Sequence, residues 1–448
     1  MSARPLTRRE IVGYGLGDMG FNFYWTNIST FLLIFYTDVF GITAAAAATM
    51  LFVVKIFNAF TDPMIGAFAD RTQTRWGKFR PYLLFMPLPL AVVGVLAYST
   101  PDFGPTGKLV WAYATYLLLM TLYTSVNLPY SALSGVITGD ARERNAINAS
   151  RFIAGFAGGT LVTAASPRLV AWLGGGDPAR GWTLTMVVWG LAAAVIFAIT
   201  FGATTERVQP PQARPASVRQ DLADLRSNKP WALLFFLALI IMGGITLRMT
   251  SAAYYFKYVV NRPELLATFV PAYLLAAAAG TACTPLLTRF IDKRRLMIGL
   301  MLVSTVLSAA FLFVPSDSIV TMYVLQIALG LALGPKSPLS FSMLADSADY
   351  NEWRHGRRAT GMTFAASSFA QKLGTAVAVA VIGALFAALG YVPNAVQSAD
   401  SQAGIVWLMS VIPAAFTLLA AVIMVFYTLD NPTMARIQAD LAARKPTR

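Results

Sequence analysis

Long apolar stretches alternate with short polar connections over most of the chain. Each stretch holds roughly 20 residues or more, which is enough for one helix to cross a bilayer. The pattern predicts an all-α polytopic membrane protein with twelve spans, at about 11–36, 44–69, 82–100, 109–137, 148–172, 182–204, 231–256, 266–289, 296–314, 319–345, 361–390 and 404–428.

The longest polar connection lies in the middle of the chain and separates six spans from six. The second span of each half ends in an acid followed by bases, Asp70-Arg71 and Asp292-Lys293. This repeat predicts a major facilitator fold, in which two six-helix halves rock about a site at the membrane midplane. The predicted parts are a first half at 1–204, a linker at 205–230, a second half at 231–430 and a tail at 431–448.

The placement of charge predicts the orientation in the membrane. Charged residues make up 12% of the chain, against roughly 25% in soluble domains. The net charge is +14, and most of the lysines and arginines fall in the termini and in every second connection. By the positive-inside rule, both termini face the cytoplasm from the plasma (inner) membrane. The positive charge is therefore a topology signal, and we expect no nucleic-acid partner.

A membrane-embedded enzyme and a non-transporting sensor are the alternatives from other classes. The sequence has one cysteine, Cys283, and one histidine, His355. Metal sites built from thiolate or imidazole, and Ser-His-Asp chemistry, therefore lack their usual residues. A sensor usually carries a signalling domain, whereas the tails are short. We expect a transporter with no catalytic residues, no cofactor and no resident metal.

Asp62 is an acid within an apolar span. A carboxylate at membrane depth costs roughly 2.5–3.5 kcal/mol on insertion scales, which makes it a functional-site hypothesis by default. Asn58 and Lys55 precede it by four and seven residues and share its helix face. Two interpretations stay open. A neighbouring cation neutralises Asp62 for stability alone, or Asp62 carries a proton or binds a cation.

The first span carries a second acid, Asp18, with Tyr14 and Asn22 on the same face at four-residue spacing. A carboxylate accepts hydrogen bonds from sugar hydroxyls, and an aromatic face suits the C–H groups of a sugar ring. Arg151 opens the fifth span and needs a buried anion, for which Asp18 is a plausible partner. The alternative is an ion pair that serves packing only.

Two further features concern coupling. Pro129 interrupts the fourth span and can free a backbone carbonyl for a ligand, beside Thr124 and Asn127 on one face. Lys372 lies near the middle of the eleventh span, in the second half of the chain. We expect it to sense the charge of Asp62, so that neutralising Asp62 lets the halves rearrange. The alternative is that Lys372 pairs with backbone carbonyls.

Acids and bases cluster where spans meet the predicted cytoplasmic side. Carboxylates there can accept hydrogen bonds from a helix N-terminus and pair with arginines when that side closes. The predicted latch and gate residues are Asp70, Arg71, Arg75, Lys78, Arg80, Asp292, Arg295, Asp346, Asp349, Glu352 and Arg358.

Several of these pieces resemble the glycoside–pentoside–hexuronide:cation symporter family, which includes the melibiose and glucuronide carriers. The matching motifs occur in order along both halves, and the run of residues 75–81 is the most specific of them. They are Gly13-Tyr-Gly-Leu-Gly-Asp18, Phe35-Tyr-Thr-Asp38-Val, Asn58-Ala-Phe-Thr-Asp62-Pro63, Thr74-Arg-Trp-Gly-Lys-Phe-Arg-Pro-Tyr-Leu-Leu84, Val126-Asn-Leu-Pro-Tyr130, Asp349-Tyr-Asn-Glu-Trp353 with Gly356 and Arg358, and Phe369-Ala-Gln-Lys-Leu-Gly374.

The resemblance implies import of a glycoside or related sugar together with H⁺, Na⁺ or Li⁺. Matched by position, it implies sugar contacts at Asp18, Asn127 and Arg151. It implies a cation site at Asn58, Thr61, Asp62 and Thr124.

The sequence departs from the melibiose-carrier branch at these places. That branch has aspartates where Asn58 and Asn127 stand, an asparagine at Thr61 and a tryptophan at Ser131. Na⁺ favours several hard oxygen ligands, whereas one carboxylate can carry a proton. We therefore expect H⁺ coupling, with Na⁺ at Asp62 as the alternative. The sugar is left open, a lipid-like amphiphile is the runner-up substrate, and we expect a monomer.

Overall fold

Each predicted span overlaps one helix or a run of consecutive helical segments. The protein is seen in a computed structural model, which describes residues 5–138, 141–207, 227–356 and 360–443. The helices are α1 (Arg8–Thr30), α2 (Ala44–Arg71), α3 (Arg80–Phe85 and Pro87–Ala97), α4 (Pro105–Ile137), α5 (Ala141–Gly174), α6 (Pro178–Ala203), α7 (Lys229–Tyr258), α8 (Leu266–Phe290), α9 (Lys293–Ala310), α10 (Ile319–Leu333 and Lys336–His355), α11 (Thr360–Ala388), α12 (Ala399–Met409 and Val411–Val425) and α13 (Asn431–Ala443).

Short irregular pieces interrupt or extend several helices. After Thr30 the chain continues through Leu32–Ile34 into a π-helical turn, Phe35–Phe40, which ends at Gly41 with φ +83°. Only glycine adopts that backbone conformation without strain. Pro335 precedes the second half of α10, where its ring cannot continue a hydrogen-bonded helix. Single 3₁₀ turns at Pro263–Leu265 and Phe311–Phe313 complete the set of named elements.

Eight helices in the described ranges are long and apolar enough to cross a membrane. They are α4 and α6 to α12, extended in two cases by a 3₁₀ turn. The segments Ala44–Asn58 and Pro87–Ala97 are shorter apolar helices. Two other long helices are less apolar. Asp18 lies in α1 and Arg151 in α5, and both helices contain many glycines and polar residues, which lower their mean hydropathy.

The chain forms two compact units. Unit 1 contains Met1–Pro211 with Met249–Leu274 and Val379–Gln402, and unit 2 contains Gln212–Arg248, Leu275–Ala378 and Ala403–Arg448. In unit 1, α1 packs most extensively on α5 and also on α6, while α2 packs on α4 and α3 on α6. In unit 2, α9 packs on α12 and on the first part of α10.

Glycines allow close helix contacts in each unit. In unit 1 a Cβ on Gly158 of α5 would lie 3.0 Å from the backbone of Met19 in α1. In unit 2 a Cβ on Gly374 of α11 would lie 2.0 Å from the carbonyl oxygen of Leu239 in α7. Side chains larger than hydrogen at these positions would push the paired helices apart. Glycine therefore sets the distance between the polar residues that lie on the two helices.

The predicted tail contains a helix, α13, which packs on the second half of α10. Trp353 donates its indole N–H to Asp440 at 2.9 Å. Asp430 accepts from the backbone N–H of Thr433 at 3.0 Å. Hydrogen bonds from the side chain and the backbone N–H of Thr433 hold the pKa of the Asp430 carboxyl below its usual value.

Candidate functional site

An ion pair joins α1 and α5 inside unit 1. Arg151 donates from Nε to Oδ1 of Asp18 at 2.7 Å, and the two side chains are 26% and 17% exposed. The guanidinium also lies 5.1 Å from the ring centroid of Tyr130 in α4. A Cβ on Gly155 would lie 2.4 Å from the second carboxylate oxygen of Asp18. Glycine at that position leaves room for the carboxylate between the helices.

Tyr14 is placed differently from the sequence expectation of an open aromatic face. It is fully buried and stacks on Tyr130 with 4.7 Å between the ring centroids. Its hydroxyl donates to the carbonyl oxygen of Tyr130 at 3.2 Å, and Tyr130 donates back to the carbonyl of Tyr14 at 2.7 Å. The four-residue spacing predicted that Tyr14 shares a helix face with Asp18, but it did not predict how deeply the Tyr14 ring is buried. Tyr14 therefore packs and positions α4, and its ring is covered in this structure.

Asn22 lies one turn after Asp18 and is half-buried. Its Nδ2 donates to the backbone carbonyl of Asp18 at 2.9 Å, which leaves its Oδ1 as an acceptor near the ion pair. A Cβ on Gly155 would lie 3.1 Å from the same Nδ2. The structure thus brings Asp18, Asn22 and Arg151 together at the α1–α5 contact.

Trp25 connects this site to α2 and α4, a link that sequence reasoning missed. Its ring centroid lies 6.1 Å from that of Tyr123 in α4, and the ammonium of Lys55 in α2 lies 6.0 Å from it. Lys55 is buried. A tryptophan seven residues after Asp18 on the same helix face was the available signal.

The acid of α2 lies beside a buried amide. Asn58 is 2% exposed, and neither its Nδ2 nor its Oδ1 has a hydrogen-bond partner among the described residues. Asp62 is half-buried, one turn further along α2. The Thr61 hydroxyl donates to the backbone carbonyl of Asn58 at 3.3 Å. A buried amide left without partners costs roughly 1–3 kcal/mol, and a ligand that supplied partners would recover that cost.

The fourth helix contributes the other predicted polar residues. Thr124 is buried and Asn127 is half-buried, on a helix that packs against α2. Pro129 lies inside α4, and because proline has no N–H, the carbonyl of Ser125 loses its usual helical partner. The structure therefore places hydroxyl, amide and carbonyl oxygens on α4, next to the helix that carries Asp62.

Lys372 is half-buried in α11 of unit 2. Its carbonyl accepts from the Thr375 hydroxyl at 2.7 Å, and the contact at Gly374 holds this part of α11 against α7. Asp62 belongs to unit 1, and the coupling between these two residues stays a prediction.

Arg248, whose role the sequence left open, forms hydrogen bonds with other groups of the protein. It is 6% exposed and donates to Oε1 of Gln326 from Nη2 at 2.8 Å and from Nε at 3.3 Å. It also donates to the carbonyl of Met409 and lies 4.5 Å from the ring centroid of Phe311. These contacts join α7, α10 and α12, which makes Arg248 a structural residue of unit 2.

The basic motif after α2 surrounds an acid that sequence reasoning did not assign to it. Glu206 accepts from the backbone N–H groups of Lys78, Phe79 and Arg80 at 2.8, 2.7 and 3.0 Å. Successive N–H groups of this kind form an anion-binding concavity at a helix N-terminus. Gly77 has φ +109°, and a Cβ there would lie 2.6 Å from the carboxylate.

Side chains of the same motif pack on aromatic rings. Arg80 donates to the carbonyl of Phe201 at 2.7 Å and lies 4.5 Å from its ring centroid. Arg75 is exposed and lies 4.1 Å from the ring centroid of Trp76. The motif thus attaches the start of α3 to the end of α6 within unit 1.

Asp292 in unit 2 is the acid that matches Asp70 in the sequence repeat, and it caps two helices. Its Oδ1 accepts from the N–H groups of Arg294 and Arg295 at the start of α9, at 2.9 and 3.4 Å. Its Oδ2 accepts from the N–H of Asn431 at the start of α13, at 2.9 Å. Lys293, rather than an arginine, pairs with Asp346 at 2.6 Å.

The other predicted gate residues are placed as follows. Asp349 and Glu352 are half-buried on α10, and the side chain of Arg295 is exposed. The side chains of Asp70 and Arg71, and the whole of Arg358, lie outside the described residues.

A hydrogen-bonded cluster around Asp38 was also missed from the sequence. Lys257 and Tyr258 of α7 both donate to Oδ2 of Asp38. Tyr391, which follows α11, donates to Oδ1 at 2.6 Å. Asn394 donates to the backbone carbonyl of Asp38 at 2.6 Å. The signal was the acid in Phe35–Phe40, but its partners lie more than 200 residues away along the chain, beyond the reach of local patterns.

The chain is similar to known proteins in sequence and in fold. A sequence model of the family described as MFS/sugar transport protein matches residues 13–431. The chain belongs to this family. It is 36% identical to the inner membrane symporter YicJ of Escherichia coli strain K12, over 99% of this chain and 97% of that protein. It is 36% identical to an isoprimeverose transporter of Lactiplantibacillus pentosus, over 94% of this chain and 89% of that protein.

A third relative is the glucuronide carrier protein homolog of Escherichia coli strain K12, 32% identical over 99% of this chain and 97% of that protein. Among solved structures, a D-xylose-proton symporter superposes with a TM-score of 0.67 at 14% identity, covering 94% of this chain and 98% of that one. This likeness shows the fold. The predicted all-α major facilitator fold and the resemblance to cation symporters of glycosides are therefore confirmed, and the chain is an integral membrane transport protein.

Proposed function

We propose that the protein imports a glycoside, pentoside or hexuronide by symport with H⁺ through alternating access. The observation that carries the proposal is the position of Asp62 on α2. It lies one turn from a buried Asn58 amide that has no hydrogen-bond partner among the described residues, on a helix that packs against α4. The names of the relatives, an isoprimeverose transporter and a glucuronide carrier homolog, support a sugar as cargo.

The proposal assigns sugar binding to Asp18, Asn22, Asn127 and Arg151. The ion pair of Asp18 and Arg151 leaves one carboxylate oxygen and further guanidinium N–H groups for hydroxyls of a sugar. Coupling falls to Asp62 with Asn58, Thr61 and Thr124, and Lys372 responds to the charge of Asp62. Tyr14 supports the site by stacking on Tyr130.

Protons are proposed over Na⁺ because Asp62 is the one carboxylate among the residues assigned to the cation site, Asn58, Thr61, Asp62 and Thr124. Na⁺ and other hard cations favour several oxygen ligands, commonly carboxylates and carbonyls. One carboxylate suffices to take up and release a proton.

The proposed topology has two six-helix halves, 1–204 and 231–430, joined by the linker 205–230. Both termini and the tail 431–448 face the cytoplasm of the inner membrane, as the distribution of Lys and Arg favours. The acidic and basic residues at that side form its gate, and the protein acts as a monomer.

The test is substrate-driven pH change in proteoliposomes, with a panel of glycosides, pentosides and glucuronides, in the presence and absence of Na⁺. We expect one sugar class to cause proton uptake, and Asp62→Asn to abolish it while the sugar still binds. Uptake that requires Na⁺ and moves no protons would overturn proton coupling. Uptake of an amphiphile that no sugar inhibits would overturn the proposed cargo.

A further inference from the structure

A small cavity inside unit 2 contains a lysine that the proposed symport does not use. The cavity lies among α7, α10 and α11, has a volume of about 50 Å³, and is lined by residues of unit 2 alone. Lys336, Ser337, Ser340, Ser367 and Gln371 form its polar side. Because one water molecule needs about 10–15 Å³ of such space, the cavity has room for a small inorganic ion but not for a sugar ring.

Two sources of positive charge meet at this cavity. Lys336 is the first residue of the 20-residue second part of α10, and the residue before it, Pro335, provides no side-chain cap. The first N–H groups of a helix carry partial positive charge and bind anions. No carboxylate in the described part of the chain pairs with Lys336. The ammonium and the helix terminus therefore lack a counter-charge from the protein.

A buried hydroxyl on α11 is a separate sign of a ligand. Ser367 is 2% exposed and lines the cavity, and its hydroxyl has no hydrogen-bond partner among the described residues. Buried hydroxyls are nearly always hydrogen-bonded, and each exception calls for an explanation such as an ion or a water molecule. An anion in the cavity would accept from this hydroxyl and from the ammonium of Lys336.

The depth of the cavity favours a free anion over the phosphate of a lipid. From residue 336 to the end of the predicted span at residue 345, an α-helix rises about 14 Å, whereas lipid headgroups lie outside the hydrocarbon core. Leu234, Ile241 and Leu344 form part of the wall. In such apolar surroundings a hydrogen bond to an ion is stronger than in water.

We propose that this cavity binds a small inorganic anion of the size of chloride, at a site separate from the transported sugar. The ammonium of Lys336 and the hydroxyl of Ser367 donate to the anion, and the start of the second part of α10 adds its dipole. The anion supplies the counter-charge that the described residues lack, and it stabilises the contact among α7, α10 and α11. The inference concerns unit 2 alone and does not depend on the proposed symport.

The experiment measures thermal unfolding of the purified full-length chain in an uncharged detergent at constant ionic strength. Sodium chloride replaces sodium gluconate, whose anion has the same charge but is too large for the cavity. We expect saturating chloride to raise the unfolding midpoint of wild type by about 2–4 °C, because a ligand that binds only the folded state stabilises it. Bromide and nitrate should act like chloride.

Variants of the lining residues test which groups bind the anion. Lys336→Met should lose the chloride-dependent shift, whereas Lys336→Arg keeps the charge and should retain part of it. Ser367→Ala removes a single hydroxyl and should raise the chloride concentration at half-maximal shift by about threefold to tenfold. This small change keeps the inference testable if Lys336→Met fails to fold. The matched control is Lys229→Met, at an exposed position of α7 outside the cavity, which should keep the full shift.

A second readout locates the anion. Bromide soaked into crystals of the protein should give an anomalous scattering peak between the ammonium of Lys336 and the hydroxyl of Ser367. The peak should be absent from crystals of Lys336→Met.

Three outcomes would overturn the inference. One is an equal chloride shift in wild type and Lys336→Met, which would make it a general effect of salt. A second is a wild-type midpoint that does not respond to chloride, which would mean that water alone fills the cavity. The third is a midpoint that responds through Lys336 to phosphatidylglycerol and not to chloride, which would assign the lysine to a lipid phosphate. Sugar-driven pH change that proceeds in gluconate would leave the proposed symport intact in each case.

Discussion

Two charged sites, one in each compact unit, differ in how their charge is balanced. In unit 1 the carboxylate of Asp18 lies 2.7 Å from the guanidinium of Arg151, so the pair is neutral as a whole. In unit 2 the ammonium of Lys336 lines a cavity and pairs with no described carboxylate. Charge that is already matched favours a polar, neutral ligand such as a sugar hydroxyl. Charge that is left unmatched favours an anion.

The largest expected effect comes from breaking the matched pair. Removing one partner of a buried ion pair costs about 3–5 kcal/mol when burial is complete. Since both side chains are partly exposed, we expect Arg151→Met to lower the free energy of unfolding by about 2 kcal/mol. The measurement is reversible unfolding in mixed detergent micelles. The matched control is Asp18→Asn combined with Arg151→Met, which should recover at least half of the loss. A double variant no more stable than the single one would contradict the charge-matching account.

A smaller effect should follow from crowding the same pair without touching its charges. A Cβ on Gly155 would lie 2.4 Å from Asp18 Oδ2, so Gly155→Ala forces the carboxylate or α5 to shift. Overpacking of this kind costs about 1–3 kcal/mol. The control is Gly299→Ala on α9, where no atom lies within 4 Å of the new methyl group. It should be neutral or stabilising by up to about 1 kcal/mol. Equal effects of the two alanines, by the same unfolding assay, would argue against a close α1–α5 contact.

The smallest change is expected at the unmatched charge. Without ligand, Lys336→Met removes a half-buried cation that has no described counter-charge, and we expect the free energy of unfolding to stay constant or to rise by about 1 kcal/mol. This is the opposite sign to Arg151→Met. A loss of more than about 1 kcal/mol on the same detergent scale would mean that Lys336 stabilises unit 2 through the protein itself, and the contrast between the units would fail.

Much of the fold follows from the sequence because lipid leaves few alternatives. Every backbone polar group in the membrane must be satisfied within its own helix, so apolar length alone places the spans. Even α1 and α5, whose glycines and charges lower their hydropathy, could be placed from their length and from the polar connections on either side. The break before Lys336 is visible as Gly334-Pro335.

The site was less predictable, because its contacts join residues far apart in the chain. Helical spacing placed Asp18, Asn22 and Tyr14 on one face but could not show that Tyr130 covers the Tyr14 ring. The pairing of Arg151 with Asp18 followed from the need of each charge for a partner. The carboxylate of Glu206 within the N–H groups of 78–80 gave no such hint, since its partners are backbone groups that every residue carries.

The cluster at Asp38 has a consequence for the speed of transport. It joins the π-helical turn Phe35–Phe40 to α7 and to the segment after α11. The hydrogen bonds come from Lys257, Tyr258, Tyr391 and Asn394. Any motion that parts these segments must break those bonds together before water can replace them. Each 1.36 kcal/mol of that cost slows the step by about tenfold. If the proposed alternating access parts these segments, we expect the cluster to slow that step.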